Sequence, residues 1–402
     1  MKRRDFLKGS VAIPSLAALT TGAISQSANA AEKAQVKSYR RLGRTEMKIS
    51  DISFGAGRLP SAGMVLRAID RGVNYFDTAP DYGRSETYIG QAMKRFKQRD
   101  KIHIATKFCD HGPYVRGKSH LQIGSDKAHY KKAVEGSLKR LNTDYVDVVF
   151  VHAIGERKNV DEERSRLFDE EMLGAFAELK KEGKARFLAV SSHGPNGLEG
   201  LLTEAINSGH YDLIMPAFNF MKYPKLPDIL KQAQAKDVGV IAMKTLAGAR
   251  DMSVDPKGSP FEQAAFKWVL KHPEVAGLVV TMKKVRDLDD YLPASGEAFT
   301  ANDQQTLDQY AALYGSDYCR TGCGDCQSAC PIGVPIASIL RYQMYFEDYG
   351  DEKHAMSQYR ELPLKADACM GCSNDVCNQA CPYELPVSAK LRAAHQSLSF
   401  PA

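Results

Sequence analysis

The sequence predicts an α/β protein: a (β/α)8 (TIM) barrel followed by a small, mainly α-helical domain. Strand-like and helix-like segments alternate about eight times over roughly 250 residues, which is the size of such a barrel. Several of the strand-like segments are continuous apolar runs, as expected for strands buried on both faces of a parallel sheet. Eight of the nine cysteines follow position 318, so a separate sulfur-rich domain is predicted at the C-terminal end.

The composition is that of a globular protein. The chain has 402 residues, of which 44% are apolar and 25% are charged, enough for a large core and more than one small module. It has 54 Lys and Arg against 48 Asp and Glu, a net charge of +6. This excess is too small and too dispersed to indicate nucleic-acid binding, so no nucleic-acid partner is predicted.

The first thirty residues have the pattern of an export signal. Arg3, Arg4 and Lys8 precede an apolar run over residues 11–24, and small residues follow up to Ala30. A run of fourteen residues is too short for a permanent membrane span, so none is predicted. The paired arginines resemble the twin-arginine signal, which predicts cleavage near Ala30 and a periplasmic protein exported by the twin-arginine machinery. An uncleaved amphipathic anchor and an ordinary signal are the alternatives.

The barrel is assigned to residues 31–300. Helical spacing of apolar residues, such as Tyr130, Val134, Leu138 and Leu141, separates the candidate strands. A doubly wound open sheet is the alternative, but no G-x-G-x-x-G follows the first strand. The eight candidate strands are residues 52–54, 73–76, 102–106, 146–151, 185–190, 213–215, 238–242 and 277–280.

Four polar residues follow three successive strands. Asp77 and Tyr82 come after the second strand, Lys107 ends the third and His152 ends the fourth. In a (β/α)8 barrel the loops after the strands build the active site. A nearby lysine cation should bring the pKa of a tyrosine down toward neutrality, so that the phenol can protonate a carbonyl oxygen. The carboxylate would hold the lysine, and the histidine would orient the carbonyl; each residue taken singly could also be structural.

These residues carry a family resemblance. The segments NYFDTAPDYG, IATK and VFVHA, and the opening RRLGRTEMKISDISFGAG, resemble the aldo/keto reductase family over residues 39–291. The resemblance implies a (β/α)8 barrel, a nicotinamide cofactor that is usually NADPH, and hydride transfer to a small carbonyl substrate. It also implies a catalytic tetrad of Asp77, Tyr82, Lys107 and His152, with Tyr82 as the proton donor.

The nucleotide-binding half departs from that family pattern. Ser192 stands where the family has asparagine, the family's carboxamide-binding glutamine falls at Met215, and its stacking tyrosine falls at Met243. The cationic segment after the last strand stands where the family binds the 2′-phosphate, although a solvated helix start is the alternative. The nucleotide contacts implied by the resemblance are Ser191, Ser192, Asn219, Met243, Lys244, Lys283, Lys284 and Arg286.

Residues 301–402 contain two similar cysteine motifs, each of which ends in C-x3-C-P. CPIGVPI in the first echoes CPYELPV in the second, and bacterial ferredoxins share the C-x3-C-P ending. We predict two 4Fe–4S clusters; one cluster, four disulfides or zinc are the alternatives. The motifs consist of Cys319, Cys323, Cys326 and Cys330, and of Cys369, Cys372, Cys377 and Cys381.

Helical spacing over residues 336–346 and 355–362 indicates an α-helical, ferredoxin-like domain around these motifs. In two-cluster ferredoxins the fourth cysteine of each run binds the other cluster. By that resemblance Cys381 would join the first motif and Cys330 the second. The whole chain then resembles a subgroup of aldo/keto reductases that carries such a C-terminal domain.

Two functional hypotheses are compatible with the predicted clusters. Clusters need a reducing compartment for assembly, and the twin-arginine route exports proteins that are already folded. One hypothesis is an exported carbonyl reductase with a redox partner protein. The other is an electron-transfer protein whose barrel is a docking scaffold, because a hydride carries two electrons, each cluster accepts one, and no flavin motif is recognisable. The ninth cysteine, Cys109, is predicted to be a small buried side chain.

Overall fold

The computed structural model describes residues 33–112, 120–121, 124–156, 159–194, 197–221, 225–248, 259–320 and 323–399. The predicted export signal, residues 1–30, lies outside the described residues. From Ala34 onward the described chain forms one compact unit. Among its helices, none combines the length and the apolar character needed to cross a membrane.

Eight parallel strands close into a barrel in the order β10-β3-β4-β5-β6-β7-β8-β9, which confirms the predicted fold class. Each strand overlaps one predicted segment. Six of them end beyond the predicted end, and β6 and β7 extend furthest because they resume pairing after an irregularity between Val151 and Ile154. The strands are β3 (Ile52–Gly55), β4 (Tyr75–Asp77), β5 (His103–Lys107), β6 (Val146–Ile154), β7 (Ala185–Ser192), β8 (Leu213–Pro216), β9 (Gly239–Ala242) and β10 (Gly277–Val280).

A short antiparallel hairpin that was not predicted packs against the barrel interior. It consists of β1 (Tyr39–Arg41) and β2 (Lys48–Ser50). Leu42, Met47 and Ile49 from this hairpin are buried in the same cluster as interior residues of the barrel strands. Strands of three residues are too short to show a period-2 pattern, so the sequence gives little sign of them.

Helices pack outside the barrel, and their apolar faces form the largest core cluster. The predicted apolar spacing from Tyr130 to Leu141 lies on the buried face of α3. The Asp169 side chain accepts a hydrogen bond from the Glu171 amide and caps the helix that begins at Glu170. The helices are α1 (Ala62–Asp70), α2 (Ser85–Phe96), α3 (Lys127–Leu141), α4 (Val160–Leu167), α5 (Glu170–Lys181), α6 (Leu198–Ser208), α7 (Leu226–Ala235), α8 (Phe261–Leu270) and α9 (Val285–Tyr291).

One glycine sets the packing distance between α2 and α3. A Cβ atom on Gly90 would lie 2.2 Å from the Arg140 carbonyl oxygen. We therefore expect Gly90→Ala to lower the free energy of unfolding by about 1–3 kcal/mol, because two helix backbones must move apart. Thermal unfolding followed by circular dichroism measures the loss as a lower Tm.

Gly200→Ala is the matched control, because a Cβ on Gly200 in α6 would meet no atom within 4 Å. That change should leave Tm unchanged or raise it slightly, since alanine favours helix over glycine by up to about 1 kcal/mol. Equal Tm values for the two variants would contradict the proposed close contact.

The C-terminal segment is helical, as predicted, and has a core of its own that includes Val334, Ile339, Tyr359 and Leu391. The predicted helical stretches 336–346 and 355–362 overlap α12 and α13. A boundary between two domains at residue 300 stays a prediction. The helices are α10 (Ala301–Tyr314), α11 (Asp325–Ala329), α12 (Ile336–Glu347), α13 (Glu352–Arg360), α14 (Val376–Gln379) and α15 (Val387–Leu398).

Candidate active site

A cavity of about 730 Å³ opens at the carboxyl ends of the barrel strands. Its wall on the barrel side includes Asp77, Tyr82, Lys107 and His152, so the four predicted catalytic residues lie at one place. Residues of α12 and α13 form the other side of the cavity. The C-terminal helices therefore take part in the site, which the sequence did not predict.

Lys107 and Asp77 form a buried ion pair across neighbouring strands. Lys107 Nζ lies 2.6 Å from Asp77 Oδ1 and also donates to the Thr78 carbonyl oxygen at 2.9 Å. The Lys107 side chain is 2% exposed. Burial raises the pKa of Asp77, and the positive charge of Lys107 opposes that rise. The lysine is thus held in one position by two acceptors.

Tyr82 lies in the turn between β4 and α2, close to both partners that were predicted for it. Its hydroxyl lies 3.3 Å from His152 Nε2, and Lys107 Nζ lies 5.2 Å from its ring centroid. Burial raises the pKa of Tyr82 well above its usual value, and the Asp77 and Asp81 carboxylates add to the rise. The pKa of Tyr82 is therefore raised and not lowered as predicted, because desolvation is the largest influence on it.

His152 is held as a neutral imidazole. Burial lowers the pKa of His152 well below its usual value, and the charges of His120 and Lys107 act in the same direction. Arg166 Nη2 donates to the His152 carbonyl oxygen at 2.7 Å, which fixes the backbone. A neutral imidazole has one donor and one acceptor nitrogen, so Nε2 can form a hydrogen bond with either Tyr82 or a carbonyl oxygen.

Only some of the residues that the resemblance assigns to nicotinamide binding have side chains that face the cavity. Ser191 Oγ borders the cavity and accepts a hydrogen bond from the Ala153 amide at 2.9 Å. Ser192 Oγ instead donates to the Ile154 carbonyl oxygen at 2.9 Å. Asn219 is fully buried, and its side chain binds the backbone of Lys244 and Met221. The side chains of Ser192 and Asn219 are therefore hydrogen-bonded to backbone groups of the protein.

Met215 and Met243, which replace the family's carboxamide and stacking residues, both border the cavity. Lys244 borders it as well, but its Nζ donates to Tyr345 Oη at 3.1 Å and lies 4.9 Å from the Tyr345 ring centroid. This cation is thus partly covered by α12.

The cationic segment after β10 also forms hydrogen bonds and ion pairs within the protein itself. The backbone amides of Lys283 and Lys284 donate to the Asp287 carboxylate at 2.6 and 2.9 Å. Arg286 forms an exposed pair with Asp290 at 3.2 Å. A carboxylate therefore lies at the start of α9, where the resemblance implies a phosphate, and none of these three basic residues lines the cavity.

Two arginines join the C-terminal helices to the barrel rim. Arg58 forms an ion pair with Asp351 and donates to the Tyr349 carbonyl oxygen at 3.0 Å. Arg341, on α12, donates to the His193 carbonyl oxygen at 2.6 Å and to Glu156 at 3.3 Å. Sequence reasoning missed these residues, because nothing in the local pattern shows that a segment near residue 341 lies over loops near residues 156 and 193.

None of the nine cysteines forms a disulfide bond. In the first motif, burial together with neighbouring thiols that include Cys323 and Cys381 raises the pKa of Cys319 to about 12. The Cys326 thiol interacts with the same neighbours, including Cys381. The sulfur of Cys381 therefore lies near the first motif.

The second motif shows the reciprocal arrangement. Burial raises the pKa of Cys369 to about 11, with contributions from Cys330, Cys372 and Cys377. Cys377 also interacts with Cys330. Two groups of four thiols thus form, each with three cysteines from one motif and the last from the other. The donor sets fit two iron–sulfur clusters, and that ligand assignment stays a prediction.

Cys109 is buried, as predicted, but it is also close to the site. Its sulfur lies 3.1 Å from His152 Nδ1. Asp81 and His120 border the same cavity. Sequence reasoning gave none of these three a role; the two-residue spacing from Lys107 to Cys109 was the only available signal.

Comparisons with known proteins agree with this geometry. A model of the aldo/keto reductase family matches residues 60–256. L-galactose dehydrogenase from Arabidopsis thaliana is 26% identical over 311 residues, which cover 68% of this chain and 93% of that protein. A solved structure from Pseudomonas aeruginosa, assigned to the aldo-keto reductases, has a TM-score of 0.53 and 26% identity, with coverage of 69% of this chain and 98% of the other.

A second solved structure, the holo form of an aldo-keto reductase from Bacillus halodurans, has a TM-score of 0.54 and 23% identity. It covers 68% of this chain and 95% of that one. This likeness shows that the two barrels share a fold.

Proposed function

We propose that this chain, which resembles the aldo/keto reductase family over residues 60–256, is an oxidoreductase of that type and transfers hydride between NADPH and a small carbonyl substrate. The observation that carries the proposal is the placement of the Tyr82 hydroxyl. It lies 3.3 Å from His152 Nε2, beside the Lys107–Asp77 pair, in the wall of a cavity large enough for a small substrate.

Tyr82 is the proposed proton donor. NADPH, when bound, would supply the hydride. Because burial raises the pKa of Tyr82, its oxygen keeps the proton until negative charge develops on the carbonyl oxygen. Lys107 then stabilises the phenolate that remains, and Asp77 keeps Lys107 in place. His152 Nε2 orients the carbonyl oxygen toward the tyrosine.

The side chains present fit the reacting end of a nicotinamide better than the rest of the nucleotide. Ser191, Met215 and Met243 border the cavity and can contact a flat ring and its amide. Ser192 and Asn219 bind backbone groups instead.

The proposal also includes two 4Fe–4S clusters in the C-terminal helical region, which would exchange electrons with a redox partner protein. Support comes from the two groups of four thiols and from the repeated C-x3-C-P motif. Export to the periplasm by the twin-arginine route is part of the proposal, and the sequence of residues 1–30 supports it.

A second function is favoured by one feature, the covered nucleotide groove. Tyr345 lies on Lys244, and Asp287 lies where the nucleotide phosphate would bind. In this alternative the protein is an iron–sulfur electron carrier, and its barrel is a docking scaffold without nicotinamide catalysis.

Nucleotide binding separates the two functions. We expect anaerobically purified, cluster-loaded protein to bind NADPH with a Kd between about 1 μM and 1 mM, as measured by calorimetry. Ser191→Ala should weaken binding about fivefold, because one hydrogen bond of about 1 kcal/mol is lost. Ser208→Ala, at the end of α6, is the control and should not change Kd. Absence of binding at millimolar NADPH, with clusters that still reduce an added acceptor, would favour the carrier.

A further inference from the structure

Four side chains of metal-ligand type converge behind the imidazole of His152. They are Asp81, Cys109, His120 and His152, and all four are buried. One possible ligand atom from each lies within 4.8 Å of the other three. The group is separate from the eight C-terminal thiols.

The fold brings these residues together from four segments of chain. Asp81 lies in the turn after β4, and His152 lies near the end of β6. Cys109 lies two residues after the end of β5, and it forms an antiparallel backbone bridge with His120. This bridge sets the two side chains next to each other on the same side of the barrel rim.

The distances are close to those of a tetrahedral site. Cys109 Sγ lies 3.1 Å from His152 Nδ1, and Asp81 Oδ2 lies 3.4 Å from His120 Nε2. Asp81 Oδ2 lies 3.9 Å from His152 Nδ1. Zinc with bonds of about 2.0–2.3 Å sets neighbouring ligand atoms roughly 3.3–3.7 Å apart. These three distances are close to that spacing, and all the ligand atoms lie within 4.8 Å of one another.

The carboxylate of Asp81 is an independent indication. Its side chain is 1% exposed, and neither of its oxygens takes part in a hydrogen bond. The neighbouring cation, Lys107, is bound to Asp77 and Thr78. A buried carboxylate without hydrogen bonds is costly, and a cation beside it removes that cost.

We propose that Asp81, Cys109, His120 and His152 bind a zinc ion. One thiolate, one carboxylate and two neutral imidazoles suit a borderline-soft metal, and the two negative charges balance Zn²⁺ in a buried site. Cys109 gives up its thiol proton to solvent when the metal binds. Four protein ligands leave no open position, so the zinc is a positioning ion that activates no water.

The zinc would act on the reaction through His152. With Nδ1 bound to zinc, the ring is fixed and Nε2 carries the ring proton. Nε2 lies 3.3 Å from the Tyr82 hydroxyl, so the metal selects the tautomer that donates a hydrogen bond at the reacting end of the cavity. Asp81, Cys109 and His120 are thus positioning residues.

The test is metal analysis of the full-length, cluster-loaded protein after equilibration with Zn²⁺ under anaerobic conditions. We expect one zinc per chain in addition to the iron. Cys109→Ala and His120→Ala should each reduce zinc to near zero and leave iron content unchanged. His111→Ala, which changes an exposed histidine two residues from Cys109, is the matched control and should retain zinc.

X-ray absorption at the zinc edge supplies a second measurement. One sulfur and three nitrogen or oxygen ligands per zinc are expected. Four sulfur ligands, zinc that persists in both variants, or no bound zinc in the unmodified protein would each overturn the proposal. If Cys109→Ala loses iron through misfolding, His120→Ala and the sulfur count decide. The readout is zinc content, so it is independent of whether the chain reduces a carbonyl.

Discussion

Tyr82→Phe is expected to lower kcat for carbonyl reduction by about 100- to 10,000-fold, because the change removes the proton donor and little else. The Tyr82 hydroxyl lies 3.3 Å from His152 Nε2. The phenyl ring keeps the packing against Lys107, so iron content and Tm should change little. The measurement is NADPH oxidation in single turnover with a panel of small aldehydes and ketones.

Tyr88→Phe is the control for that experiment. Tyr88 lies on α2, where its ring contacts Arg84 and does not line the cavity. It should retain normal kcat. If Tyr82→Phe also retained normal kcat, Tyr82 would not be the proton donor, and the proposed reaction would have to be abandoned.

The second large effect concerns the ligands of the clusters. Cys381→Ala should halve the iron content, from about eight to about four atoms per chain, because one of two 4Fe–4S clusters loses a ligand. Cys319→Ala should do the same, since burial and charge interactions place Cys319 and Cys381 in one group. Iron analysis and electron paramagnetic resonance after reduction measure the loss.

The double variants identify the pairing. Cys319→Ala with Cys381→Ala should lose no more iron than either single change, because both residues serve the same cluster. Cys369→Ala with Cys381→Ala should lose both clusters, since Cys369 belongs with Cys330. If each motif instead bound its own cluster, these two results would be exchanged. Full iron content in all variants would rule out thiolate ligation by these cysteines.

The C-terminal helices connect these two sets of predictions. Arg341 on α12 binds the barrel at His193 and Glu156, and it interacts with the charge of Cys319. The same helix carries Tyr345, which contacts Lys244 at the edge of the cavity. The region of the proposed clusters and the candidate active-site cavity therefore share α12, as the proposed electron exchange between them would require.

Several features of this protein follow from sequence alone. The order of the barrel strands and the position of Asp77, Tyr82, Lys107 and His152 were predictable. Each lies at or just after the carboxyl end of an apolar strand, and neighbouring parallel strands bring such ends together. The helical C-terminal region was predictable because apolar spacing is a local property of the chain.

Other features were decided by the tertiary structure. The pKa of Tyr82 is raised by burial and by the nearby Asp77 carboxylate. Burial depends on how the whole chain packs around the site, so the sequence does not show the direction of this shift. Resemblance implied that Ser192 and Asn219 contact the nucleotide, yet both side chains bind backbone groups of the protein.

Asp81, Cys109, His120 and His152 form no sequence motif, because they come from the turn after β4, the connection after β5 and strand β6. Sequence patterns report periodicity and strand ends, which are local. The distances between side chains from different segments are set only when the chain folds. The same is true of the desolvation that shifts their pKa values.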